Sequence, residues 1–150
     1  MSWILPERID NHFPGHRAVV AVFAAITLMT LGRSFFHILA PDGGAQSVAH
    51  IPLATFSPVQ AGQAVIFVFA LWGLSQLMMG FVYVVALARY RALIPLLLIL
   101  MFLEYCGRYL IGHFRPLELT GTPPGKILDH VMIPLSLVLL YFSRPTSGRS

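Results

Sequence analysis

Four charged residues sit where a sequence this apolar leaves little room for charge. Arg33, Glu104, Arg108 and Asp129 lie within or at the end of long hydrophobic stretches, with His37 and His130 beside them. A charge at membrane depth is costly, so such residues face the bundle interior, pair with one another, or mark a site. Guanidinium, carboxylate and imidazole together can lock helices by ion pairing, or grip the head of a ligand rich in hydrogen-bond acceptors. Arg33 and His37 are four residues apart, as are Glu104 and Arg108. Each pair therefore shares a helix face, and Glu before Arg is the favourable order.

The layer admits several readings. One is a structural lock, in which Arg33 pairs with Glu104 or Asp129 and Arg108 pairs with Glu104. Another is a binding or catalytic site on the same residues, and a third is snorkelling of the two arginines to the head-group region. The histidines add two narrower ideas. Two of His37, His113 and His130 could ligate a haem iron axially, and His37, His130 and Asp129 could hold zinc. Adjacent Asp129 and His130 point to different helix faces, which weakens the zinc set, and no metal site is expected. Gly73, Gln76 and Gly80 share a face at spacings of three and seven. That pattern fits close helix packing with Gln76 hydrogen-bonded across the interface, or a polar wall to an internal cavity. Trp72, Tyr83, Tyr90, Tyr105, Tyr109 and Tyr141 read as interface or packing aromatics.

The elements that must position these residues follow from composition. The chain has 150 residues, 57% of them hydrophobic and 11% charged, against about 25% charged in a soluble domain. A chain this small cannot hide so much apolar surface inside itself. Four runs approach the roughly 20 residues that cross about 30 Å of hydrocarbon: 18–40, 59–88, 92–113 and 127–142. Pro41-Asp42-Gly43-Gly44 breaks the first. Ser57-Pro58 opens the second, where a proline without N–H is tolerated. The fourth is short and contains Pro134, so it is expected to start earlier or to tilt little. Residues 41–58 and 114–126 are the long connections, and the first has the composition for a short helix lying on the bundle. Arg89-Tyr90-Arg91 is a tight turn, so the second and third helices should be antiparallel neighbours.

Charge sets the expected topology. Arg8, Arg17, Arg89, Arg91, Arg144 and Arg149, six of the ten basic residues, flank one side, against Arg115 and Lys126 on the other. The positive-inside rule then puts residues 1–17 and 143–150 in the cytoplasm and both long loops outside. Taking the outer edge near Ala40, Val59, His113 and Ile127, at 1.5 Å per residue, Arg33 lies about 10 Å deep, His37 about 5 Å, Glu104 about 13 Å and Arg108 about 7 Å. Asp129 and His130 lie about 3 to 5 Å down on the same scale. All six fall in the outer half.

Several classes are excluded or disfavoured. A net charge of +4 could suggest nucleic acid, but the basic residues bracket apolar runs and form no stripe or motif. A single Cys106 cannot form an intramolecular disulfide, and it reads as a small packing residue. The first apolar run exceeds a signal peptide's and lacks an A-x-A site, so it is expected to be retained. P-loop, GxGxxG, GxSxG and HExxH motifs are missing, and Ser34, Ser75 and Ser136 have no obvious partner base.

Five segments carry a family resemblance: Ile38-Leu39-Ala40-Pro41, Gly73-Leu74-Ser75-Gln76-Leu77-Met78-Met79-Gly80, Arg89-Tyr90-Arg91, Gly107-Arg108 and the proline-containing outer loop. Over residues 31–142 the chain resembles DUF4345, a family of small four-helix bacterial membrane proteins within the DoxX-like group. The resemblance implies a four-helix membrane bundle. It implies no settled activity, although some DoxX-like relatives are linked to quinone-coupled oxidation of sulfur compounds or to redox-protein complexes. Glu104 and Asp129-His130 have no counterpart in that pattern.

The sequence thus predicts one domain, an all-α integral membrane four-helix bundle of the cell's inner membrane, with N-in/C-in topology and two longer outer loops. Three functions stay open: a non-catalytic accessory subunit of a larger membrane complex or homo-oligomer; a binding or transport module for a lipid, quinone or other hydrophobic small molecule; and a quinone- or haem-linked oxidoreductase subunit. The first comes foremost. The residues at stake are Arg33, His37, Gln76, Glu104, Arg108, Asp129 and His130; membrane lipids and other subunits, or a second copy, are the expected partners.

Overall fold

The computed structural model describes residues 3–145. It holds four long helices, α1 Arg17–Leu39, α2 Val59–Arg89, α3 Ile94–Phe114 and α4 Pro124–Phe142, and no strand among the described residues. All four are long and apolar enough to cross a membrane. Only 17% to 33% of each span's most apolar window is buried inside the bundle. Leu28, Val68, Leu103, Ile111 and Val138, all exposed, need a nonaqueous cover, and lipid supplies it. The expected tail over 143–150, Arg149 included, lies outside the described residues beyond Pro145.

The helix ends follow from local chemistry. The His16 ring accepts the Ala18 N–H at 3.2 Å and starts α1. Pro58 stands at the N-cap of α2 and Pro124 is the first residue of α4, both places where a missing N–H costs nothing. The fourth helix therefore begins three residues earlier than the apolar run. A single 3-10 turn, Arg91–Leu93, leads into α3, and another, Leu53–Thr55, is the only helix in the first long loop among the described residues. With 31 residues, α2 is about 46 Å long and overshoots a bilayer core unless it tilts.

Both long loops lie at one end of the bundle. They touch where Thr120 donates its N–H to the His50 carbonyl at 3.0 Å. The chain's first described segment and the end of α4 meet at the other end, where the His16 N–H donates to the Phe142 carbonyl at 2.9 Å. The helices therefore alternate up and down.

α1 packs along α2, and α3 packs along α4. α2 and α3 are joined by the tight turn, yet each packs chiefly on its other neighbour. Gly73 and Gly80 explain the α1–α2 pair. A Cβ at Gly73 would come within 2.8 Å of the His37 Cβ and 3.1 Å of the Ser34 carbonyl. The backbones approach because no side chain intervenes. The two pairs meet through large side chains instead. Val19, Phe23, Ile26, Tyr83, Leu97, Leu98, Met101, Tyr105, Met132 and Leu139 form one core in the half nearer the termini. Phe23 and Leu98 are wholly buried, and Phe23 meets Tyr83 edge-on at 5.1 Å.

Candidate functional site

Above that core, toward the loops, the seam between the helix pairs turns polar. Trp72 on α2 sits between two guanidinium groups. Arg33 of α1 lies 5.8 Å from its ring centre and Arg108 of α3 lies 5.1 Å from it. Arg108 also lies 5.3 Å from the Tyr105 ring. Such contacts contribute about 0.5 to 2 kcal/mol each, more when dry. Arg108 donates from Nε to Asp129 Oδ1 at 2.9 Å, which ties α3 to α4. It is the one ion pair among the described residues.

That pairing departs from the expected lock. Neither Arg33–Glu104, Arg33–Asp129 nor Arg108–Glu104 forms. Arg108 passes over its own helix neighbour and takes a partner on α4. Glu104 is left exposed at the side of the seam. Gln76 also departs from expectation: buried at 6% exposure, it has no hydrogen-bond partner on either amide atom.

Gln76 faces a cavity of about 20 Å³ lined also by Thr30, Arg33, Tyr83, Glu104 and Tyr105. That space admits roughly one water molecule. Arg33 Nε and Arg108 Nη1 are likewise buried without a partner. Elsewhere the fold leaves no such debts among its buried polar side chains. Thr27, Thr30, Ser34, Ser136 and Ser143 each donate to the carbonyl four residues earlier, at 2.6 to 2.9 Å. Of the seven buried polar side chains among the described residues, Gln76 alone lacks a partner. Exposed Ser75 also bonds back, to the Leu71 carbonyl at 3.2 Å. None of Ser34, Ser75 and Ser136 is poised as a nucleophile.

His37 closes the top of the layer. Its Nδ1 donates to the Gly43 carbonyl at 2.7 Å, so that nitrogen carries a proton. Its ring packs on Trp72 at 4.8 Å and Phe69 at 5.8 Å. The loop above is folded tightly enough to reach it because Gly43 and Gly44 adopt φ of 59° and 79°, a region that glycine enters freely. Asp42 pins the same turn, accepting N–H groups from Gly44, Gln46 and Ser47 and the Ser47 hydroxyl. Partial desolvation pushes the Asp42 pKa up, but those donors outweigh it and hold the carboxyl at about 2.

The remaining expected residue falls elsewhere. His130 is exposed on α4; its Nδ1 donates to the Lys126 carbonyl at 2.7 Å and its ring meets Tyr109 edge-on. His37 and His130 thus have separate surroundings, and exposed His113 lies against Phe114. The structure assembles neither an axial histidine pair nor the His37, His130 and Asp129 set. Among the described residues no group of three His, Cys, Asp or Glu could hold a metal ion.

Sequence reasoning placed Arg33, His37, Glu104, Arg108, Asp129 and His130 at one level; the structure gathers the first five around one seam, brings Gln76 of α2 to it, and leaves His130 outside it. It missed Trp72, Tyr83 and Tyr105 as site residues, taking them for packing or interface aromatics. The signal was present: Trp72, Gln76 and Tyr83 recur at spacings of four and seven on α2, the same face as Gly73 and Gly80.

No family model matches this chain, and neither a curated protein nor a solved structure matches it.

Proposed function

We propose that this chain is a small membrane-embedded binding protein. Its seam seats the acceptor-bearing head (a carbonyl, carboxylate or similar group) of a lipid, quinone or other hydrophobic small molecule. One observation carries the reading. A fold that satisfies its buried serine and threonine hydroxyls within their own helices leaves Gln76, Arg33 Nε and Arg108 Nη1 without partners. Three of those four orphaned atoms are donors, so an acceptor would complete them. An unmet buried donor costs about 1 to 3 kcal/mol, which is the affinity a ligand can recover. The α1–α2 and α3–α4 pairs part along the Glu104 side to admit it, since the seam there is filled by side chains rather than by close backbone packing.

A second reading rests on a different residue. Glu104 is exposed at a depth where lipid offers no partner, which favours an accessory subunit or homo-oligomer whose neighbour donates to that carboxylate. Membership of DUF4345 rests on the short motifs given above. Placement in the inner membrane with both termini cytoplasmic rests on the basic residues at the termini end.

Native mass spectrometry of the gently solubilised protein, wild type and Gln76→Leu, tests the reading. The wild type should carry a small-molecule adduct that Gln76→Leu loses, while the variant melts no lower, because an apolar isostere removes the unmet amide. A wild type without adduct, or the same adduct on Gln76→Leu, overturns binding at this seam. A stoichiometric second polypeptide would establish the subunit reading instead.

A further inference from the structure

The opposite end of the bundle holds a larger recess that the seam does not involve. A groove of about 880 Å³ opens beside the first turns of α1. One wall is the segment before α1, residues 11–15, which is fastened at both ends. The Ala92 N–H donates to the Asp10 carbonyl at 3.3 Å and the His16 N–H to the Phe142 carbonyl at 2.9 Å. The floor is apolar, built from Val20, Ala24 and Leu87. The rim carries Arg17, Arg91 and His12. Arg91 donates from Nε to the Leu87 carbonyl at 2.9 Å, which holds its guanidinium at the edge. Neither arginine is in an ion pair among the described residues.

We propose that this groove is a binding site for one anionic phospholipid, its phosphate on Arg17 and Arg91 and the top of an acyl chain along Val20 and Ala24. Charge and polarity together select that occupant. A free anion would leave the apolar floor uncovered, and a neutral hydrophobic molecule would lie beneath two uncompensated cations. A zwitterionic lipid brings its own cation to a rim that is already positive. An anionic phospholipid matches both features: guanidinium pairs bidentately with phosphate, and Val20 to Ala24 spans about 6 Å of helix below the rim. Its location also fits, since the basic end of a membrane protein faces the leaflet rich in anionic lipid.

The test uses the full chain in nanodiscs of equal phosphatidylcholine and phosphatidylglycerol, with retained lipid counted after transfer to the gas phase. Wild type should retain phosphatidylglycerol about tenfold over phosphatidylcholine, the two rim cations supplying the preference. Arg17→Gln with Arg91→Gln should retain the two equally. Arg89→Gln with Arg144→Gln removes the same charge from the same end but outside the groove, and should behave as wild type. Ala21→Phe, on the groove lining, keeps both cations but fills the space and should lose the bound lipid. No preference in the wild type overturns the proposal, as does equal loss in the two double variants, which would mean a diffuse surface field. Retention unchanged in Ala21→Phe also overturns it. Full displacement by glycerol phosphate, which has the head but no chains, would make this an anion site and not a lipid site. All three variants leave the seam untouched, so failure here does not bear on the ligand proposed there.

Discussion

The two halves of the bundle solve opposite problems. Near the termini, Phe23, Leu98, Met101 and Leu139 fill the space between the helix pairs with apolar side chains, and Ser136 and Ser143 bond back onto their own helix. Near the loops, the same space holds two arginines, a tryptophan, a glutamine and two carboxylates. Only Arg108 and Asp129 satisfy each other there by an ion pair. The first half is self-sufficient, and the second is built but incomplete. Stability concentrated in one region leaves the other free to carry groups that cost stability, the usual arrangement where a fold hosts a site.

Mutations should separate the halves. The largest effect is expected from Phe23→Ala, which empties a wholly buried position and removes the edge-on contact with Tyr83. Loss of about 3 kcal/mol is expected from packing alone, read as a lower melting temperature in detergent. The adduct at the seam should survive in whatever protein remains folded. A mild effect would mean that the termini half is not the stabilising one. Next comes the contrast of two carboxylates. Asp129→Asn leaves Arg108 without its anion and should cost about 2 kcal/mol, less than a fully buried pair because both side chains keep some exposure. Glu104→Gln should leave the melting temperature unchanged, since Glu104 holds no cation. Equal destabilisation by both would show that Glu104 is paired after all and restore the lock.

The smallest effect concerns pH and the cap. Asp42 has a folded-state pKa of about 2 against 3.8 for an unperturbed group. A depressed carboxyl contributes stability that is fully present above the unfolded value and lost as pH falls through the folded one. Amide exchange protection at Gly44, Gln46 and Ser47 should therefore hold above about pH 4 and decline toward pH 2. In Asp42→Asn it should be low throughout. Protection that persists at pH 2 in wild type would remove Asp42 as the pin.

The spans were legible because length and apolarity alone define them, and Pro41-Asp42-Gly43-Gly44 marked the first boundary. Even α4's early start follows from Pro124 once the helix is known to begin on a proline. The shared height of Arg33, His37, Glu104, Arg108 and Asp129 along the bundle was legible too, since counting residues from a helix end fixes height. Rotation and partner choice were not. Glu104 and Arg108 have ideal spacing on one helix, but Asp129 on α4 offers Arg108 a partner inside the bundle. Which wins depends on how α3 turns against its neighbours, and spacing along one helix carries no such information. Gln76 illustrates the same limit: its burial could be read from the glycines beside it, but its lack of a partner depends on what three other helices bring. The groove at the termini end escaped notice because its walls come from residues 11–15, α1 and the α2–α3 turn, which no single stretch of sequence juxtaposes.

Trp72 gives the charged seam its own optical signal. The chain has two tryptophans, Trp3 and Trp72, so Trp3→Phe would leave one indole, wedged between two guanidinium groups and a histidine ring. Indole emission responds to the field of nearby charge and to contact with quenchers, so the wavelength and lifetime of that single fluorophore would report on Arg33 and Arg108 directly. A molecule that draws either guanidinium off the ring would shift the emission, without any label and without waiting for the helices to move.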